Sequence, residues 1–123
     1  MGRMTSFDIA ADNVERAITF YETVFGWEFT KAHGPLEYWL VTTGAEEDAG
    51  IDGGIAPREA AWQRITCFVD VDSLAATLAK IRAQGGSVLK PKAVIPGEGY
   101  LAVCRDTEGN IIGIIERSET AGF

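Results

Sequence analysis

Residues 7–29, FDIAADNVERAITFYETVFGWEF, lie over residues 67–89, CFVDVDSLAATLAKIRAQGGSVL, when the chain is compared with itself at an offset of 60. Asp12 falls on Asp72, Val14 on Leu74, Ile18 on Leu78, Tyr21 on Ile81 and Gly26 on Gly86. The same offset carries Gly53-Gly54-Ile55-Ala56 onto Gly113-Ile114-Ile115-Glu116. One structural unit is used twice. A unit of about 60 residues cannot bury its own hydrophobic face, so it is expected to pack against its copy, with any site lying between the two.

Within the first copy, residues 4–10 read as a strand, and Asp12 with Glu15 three positions later reads as a capping box that opens a helix. Val14, Ala17, Ile18, Tyr21, Val24 and Phe25 follow the spacing of one buried helical face, which Gly26 closes. Strands are expected over residues 27–30, 37–43 and 50–56, with His33-Gly34-Pro35 as turn chemistry. After a linker at 57–61 the order begins again: a strand over 64–70, a helix capped by Asp72 and closed by Gly85-Gly86, and a strand over 87–90. A loop over 91–99 then leads to strands over 100–105 and 111–116, joined by the hairpin turn Asp106-Thr107-Glu108-Gly109-Asn110. The tail after Arg117 is polar and expected to fray.

The chain has 123 residues, enough for a single domain, here two modules of about 4–56 and 64–116. Its formal net charge of -7 and the lack of a basic cluster beyond Lys90-Pro91-Lys92 argue against nucleic acid and anionic membrane as partners. No apolar run has the length of a membrane span, and the first residues show no signal-peptide pattern, so a cytoplasmic protein is expected. Cys67 and Cys104, each within an apolar strand-like run and without C-x-x-C spacing, read as reduced thiols.

The element order, with Val14-Glu15-Arg16-Ala17 through Phe20-Tyr21 to Val24-Phe25-Gly26-Trp27, Val71-Asp72-Ser73-Leu74 with Gly85-Gly86, and Asp106-Thr107-Glu108-Gly109-Asn110-Ile111, resembles the vicinal oxygen chelate superfamily of glyoxalase I, bleomycin resistance proteins and extradiol dioxygenases. The resemblance implies an α+β fold of two tandem βαβββ modules, forming an incomplete eight-stranded barrel around a cleft. It also implies pairing into a homodimer, for which Trp62 is a candidate anchor. Metal-using members place one ligand on the first and last strand of each half, and those positions here are Ser6, Ala56, Thr66 and Glu116. Hydroxyl and methyl groups do not replace imidazole, thiolate or carboxylate donors, so no metal and no other cofactor is expected.

Alternation along the strands puts Ser6, Asp8, Gly54, Ala56, Thr66, Phe68, Ile114 and Glu116 on the cleft side, and Phe7, Ile9, Ile65, Cys67 and Val69 under the helices. Tyr38 and Tyr100 are candidates for the walls. The expected ligand-binding residues are therefore Ser6, Asp8, Tyr38, Thr66, Phe68, Tyr100 and Glu116, with Glu116 as the candidate catalytic group. Glu116 reads either as a ligand acceptor or general base, or as a strand-end carboxylate in solvent or an ion pair. The preferred function is metal-independent binding of a small molecule; the alternatives are a lyase, isomerase or dioxygenase-type enzyme using Glu116 or Asp8 for proton transfer, and an accessory module without a working cleft.

Overall fold

The computed structural model describes residues 2–122, and it has the α+β composition of two successive βαβββ modules. The elements are β1 (Arg3–Ala11), α1 (Val14–Phe25), β2 (Glu28–Lys31), β3 (Trp39–Thr42) and β4 (Gly53–Pro57), then β5 (Ile65–Asp70), α2 (Leu74–Ala83), β6 (Ser87–Ile95), β7 (Gly99–Arg105) and β8 (Ile111–Arg117). The chain divides into two compact units, one of Ser6–Thr66 and the other running from Cys67 onward and including the first residues up to Thr5. Among the described residues no helix is long and apolar enough to cross a membrane.

In the first unit the strands lie in the order β2-β3-β4-β1, with β1 parallel to β4 and the other pairs antiparallel. The register sets Phe7 beside Gly53 and Ile9 beside Ile55, and these belong to the apolar face that meets α1: Phe7, Ile9, Val14, Val41 and Ile55 are all buried. A Cβ on Gly53 would strike the Phe7 ring and carbonyl, so glycine is what lets that ring lie across the strand. Asn13, not Asp12, caps α1: its side chain accepts the Arg16 N–H at 3.0 Å, while Asp12 turns to Arg58 Nε at 2.9 Å. The helix ends as expected at Gly26, whose φ of 72° releases its N–H to the Glu22 carbonyl at 3.0 Å. Its apolar face is only partly covered, and Val24 and Phe25, expected inside, are exposed.

In the second unit the order is β5-β8-β7-β6, again with one parallel pair, β5 and β8. Leu74 and Leu78 of α2 pack on Ala102, Cys104 and Ile114, with Val69, Val88, Tyr100 and Ile112 around them. Here too the cap lies one residue later than the sequence suggests, on Ser73, which accepts the Ala76 N–H at 3.1 Å. β6 runs through the segment expected as a loop, because two register shifts between Val88 and Ala93 absorb Pro91, which has no N–H to give the ladder. Over residues 118–122 the tail is held rather than frayed: the Glu98 carbonyl accepts the Ser118 N–H at 2.8 Å, the Gly97 N–H donates to the Ala121 carbonyl at 3.0 Å, and Ala121 is fully buried.

The two parallel pairs differ by one residue. Phe7 stands beside Gly53, but Cys67 stands beside Ile112 rather than Gly113, so β8 repeats β4 at an offset of 59 where β1 and α1 repeat as β5 and α2 at 60. Since neighbouring strand residues point to opposite faces, this single step reverses the expected orientation of every side chain on β8.

Candidate functional site

The face of the first sheet turned away from α1 follows from the ladders. Asp8 stands beside Gly54 and Ala10 beside Ala56, Gly54 beside Leu40, Leu40 beside Thr30 and Thr42 beside Glu28. Ser6 shares this face by alternation along β1. Around Asp8 it is small, with Ser6 and Ala10 along β1 and Gly54 and Ala56 across from them; Leu40 is exposed beyond, and Thr30, Thr42 and Glu28 make its far side polar. The charges that β1–β4 place on it are Asp8 and Glu28, both negative.

Asp8 is the chemical centre of this face. Its Oδ1 accepts the Tyr38 hydroxyl at 2.8 Å, and both side chains are half-buried. Burial pushes the Asp8 carboxyl above its ordinary value, because withdrawing it from water penalises the charged form, and the Tyr38 hydrogen bond opposes part of that rise. Arg58 pairs with Asp12 and Arg117 with Asp70, so neither of these two ion pairs involves Asp8. The tyrosine is seated by a glycine. A Cβ on Gly54 would overlap the Tyr38 hydroxyl and ring, so only a bare backbone at 54 lets the phenol cross β4 to Asp8. The sequence singled out Asp8 and Tyr38 separately; the fold brings them into one hydrogen-bonded pair. The sequence signal for Gly54 is its place in the Gly53-Gly54 pair within the strand expected over 50–56.

In the second unit the expected group does not stay together. Phe68 stands beside Gly113, and a Cβ there would meet the Phe68 ring, so Phe68 is a buried strand residue lying over a glycine. Thr66, two residues earlier, is also buried, at 9% exposure. Ile114 and Glu116 were expected on the same side as Phe68, and the step in β8 corrects this. Ile114 is in the core beneath α2, and Glu116 Oε1 accepts the Leu74 N–H at 2.8 Å, at the first turn of that helix. Tyr100, opposite Glu116 in the β7–β8 ladder, turns the same way. The two border a surface groove of about 270 Å³ with Leu74, Ala75, Leu78, Pro91 and Lys92, and the Lys92 ammonium lies 4.4 Å from the centre of the Tyr100 ring. Sequence reasoning missed this helix-side setting because Ile111, Ile112, Ile114 and Ile115 are apolar on both faces and show no alternation.

The metal-ligand positions implied by the resemblance hold Ser6 and Ala56, both half-buried on the face turned away from α1, a buried Thr66, and a Glu116 committed to α2. Among the described residues there is no group of three or more His, Cys, Asp or Glu side chains placed to hold a metal ion. The donor chemistry does not fit a resident transition metal.

Residues 3–114 match the family model for the Glyoxalase/Bleomycin resistance protein/Dioxygenase superfamily. A glyoxylase-like domain-containing protein of Didymella fabae is 31% identical over 121 residues, covering 94% of each sequence. Among solved structures, methylmalonyl-CoA epimerase from Mycobacterium tuberculosis aligns with a TM-score of 0.66 at 15% identity, over 94% of this chain and 87% of that one. A glyoxalase/bleomycin resistance protein/dioxygenase superfamily member from Vibrio splendidus aligns with a TM-score of 0.66 at 11% identity, over 96% of this chain and all of the other. At such identities the structural likeness speaks for the fold alone.

Proposed function

The chain belongs to the glyoxalase/bleomycin resistance protein/dioxygenase superfamily, and we propose that within it this protein is a metal-independent binder of a small molecule whose polar anchor is the Asp8–Tyr38 pair. The observation that carries the reading is a half-buried strand carboxylate whose hydrogen bond comes from a neutral phenol. Withdrawing a carboxylate from water is unfavourable unless it is paired, and a single neutral hydrogen bond offsets little of that. Tyr38 takes Oδ1, which leaves Oδ2 to meet a ligand donor, with Leu40 as apolar surface beside it. The donor set supports metal independence, since Ser6, Ala56 and Thr66 offer no bond comparable to imidazole or carboxylate. Glu116 is assigned to holding α2.

The pKa of Asp8 favours a second reading on the same residues. A carboxylate shifted upward by burial is a better proton acceptor, so Asp8 could serve as a general base toward a bound substrate, with Tyr38 steering the proton. Turnover of the bound compound separates catalysis from simple binding. The exposed Phe20, Val24 and Phe25 of α1 favour a homodimer in which a second copy covers this helix.

A thermal-shift screen against aromatic antibiotics and small 2-oxo compounds supplies ligands. Each is then titrated against wild type, Asp8→Asn and Tyr38→Phe. Loss of a charged hydrogen bond is worth about 1.5–3 kcal/mol, so Asp8→Asn should weaken binding by roughly ten-fold or more. Equal affinities for wild type and Asp8→Asn would move the site elsewhere. Elemental analysis finding near one equivalent of zinc, nickel or iron in the purified protein would end the metal-independent reading.

A further inference from the structure

We propose that the ligand received at Asp8 is a cation bearing N–H donors, a protonated amine or an amidinium, in preference to a neutral or anionic compound. The proposal rests on the reading of Asp8 and Tyr38 as the binding pair and adds the chemical class of what they take. Three observations lead to it. The first is the composition of the sheet face: its strand residues bring two carboxylates, Asp8 and Glu28, and no ammonium or guanidinium. The second is the pairing. Arg58 and Arg117 are engaged with Asp12 and Asp70, and the side chain that holds Asp8 is a neutral phenol, Tyr38. The third is the field of the whole chain, whose net charge of -7 attracts cations and repels carboxylates and phosphates.

A half-buried carboxylate whose hydrogen bond comes from a neutral phenol is one that a cation complements. An N–H cation supplies that charge and a directed donor for Oδ2 at once, and hydrogen bonds between charged partners are the short, strong ones. A neutral alcohol supplies only the donor. An anion adds repulsion to desolvation. The exposed Leu40, beside Gly54 in the ladder, provides apolar surface for the carbon skeleton that carries the cation.

The test compares three phenyl-bearing compounds of similar size by amide chemical-shift titration at neutral pH: benzylammonium, benzyl alcohol and benzoate. Benzylammonium should shift the amides of Asp8, Leu40 and Gly54 and bind about ten-fold tighter than benzyl alcohol, with affinity falling as salt is added. Benzoate should not bind there. In Asp8→Asn the ammonium and the alcohol should come within about two-fold of each other, whereas Tyr38→Phe, which keeps the carboxylate, should retain the preference. If benzyl alcohol or benzoate perturbs those amides as strongly as benzylammonium, the cation proposal fails and the binding reading stands. If none of the three perturbs them, the binding reading fails with it. A preference that survives in Asp8→Asn would also overturn the proposal.

Discussion

Glu116→Ala decides whether Glu116 holds a helix or a ligand. Glu116 Oε1 accepts the N–H of Leu74 at 2.8 Å, and Leu74 is the first residue of α2, where backbone donors have no partner within the helix. Leu74 is itself buried, so water replaces the lost acceptor poorly. A hydrogen bond to a charged group contributes about 1.5–3 kcal/mol, and that range already contains the favourable placement of a negative charge at a helix N-terminus. For a chain of this length the unfolding entropy is roughly 260 cal/mol/K, so a loss of about 2 kcal/mol lowers the melting temperature by about 8 °C. Glu116→Gln keeps an acceptor oxygen and gives up only the charge, which costs about 0.3–1 kcal/mol. Differential scanning fluorimetry on the three proteins, paired with a benzylammonium titration of each, reads stability and binding separately. The expected result is a graded loss of stability, alanine well beyond glutamine, with affinity at Asp8 unchanged. Glu116→Ala melting within 2 °C of wild type, about a quarter of the worked shift, would refute the helix-anchoring argument, and loss of affinity in Glu116→Gln would return Glu116 to the binding site.

Gly54→Ala places a methyl group where the Tyr38 phenol lies; it should cost about 1–3 kcal/mol by overpacking and free Asp8 from Tyr38, seen as a further rise in the Asp8 pKa by carbon-detected NMR titration. Asn13→Ala and Ser73→Ala should each cost about 1 kcal/mol in chemical denaturation, while Asp72→Ala, which removes the residue before the cap, should cost less than half of that. Asp8→Asn should alter the pH dependence of stability. Because burial raises the Asp8 pKa in the folded state, folding binds a proton more tightly, and stability falls as pH rises from the unfolded value through the raised folded one. The variant should therefore melt above wild type at pH ~7, with the gain disappearing by pH ~3, where both forms are neutral. A variant less stable than wild type at neutral pH would show that the carboxylate is favourably held.

The sequence was most readable where two signals coincided. The 60-residue repeat, the apolar spacing of Val14, Ala17 and Ile18 or of Leu74 and Leu78, and the glycines at 26 and 85 together indicated two βαβββ modules, because caps, periods and chain reversals agreed. Cap identity slipped by one residue in both helices, since Asp12-Asn13 and Asp72-Ser73 are adjacent capping residues and local pattern cannot say which becomes extended. The candidate site was half legible. Asp8 and Tyr38 were singled out from strand parity and from the repeat, on β1 and immediately ahead of β3, strands with clear alternation or clear pairing. Glu116 was misdirected because β8 is apolar on both faces, so the period-2 signal that would have exposed the step to an offset of 59 was missing. Gly54 belongs to a third category: its meaning is a close approach between a ring and a backbone, and nothing in a single sequence records which ring crosses which strand.

The placement of Asp8 is also where stability and function separate. Its neighbours across and along the sheet face, Gly54, Ala56, Ala10 and Ser6, are small, and a valine or leucine at position 8 would meet them without desolvating a charge. By the rules that account for Ile9 on the opposite side of the same strand, a carboxylate at 8 is the wrong residue. It is held there by arrangements that themselves have a cost: Gly54 gives up strand propensity so that Tyr38 can cross, and Tyr38 offers only a neutral hydrogen bond. The binding role proposed for Asp8 accounts for these three unfavourable choices together. The same reasoning separates Asp8 from Glu116, whose bond to Leu74 already gives the helix what the carboxylate can offer.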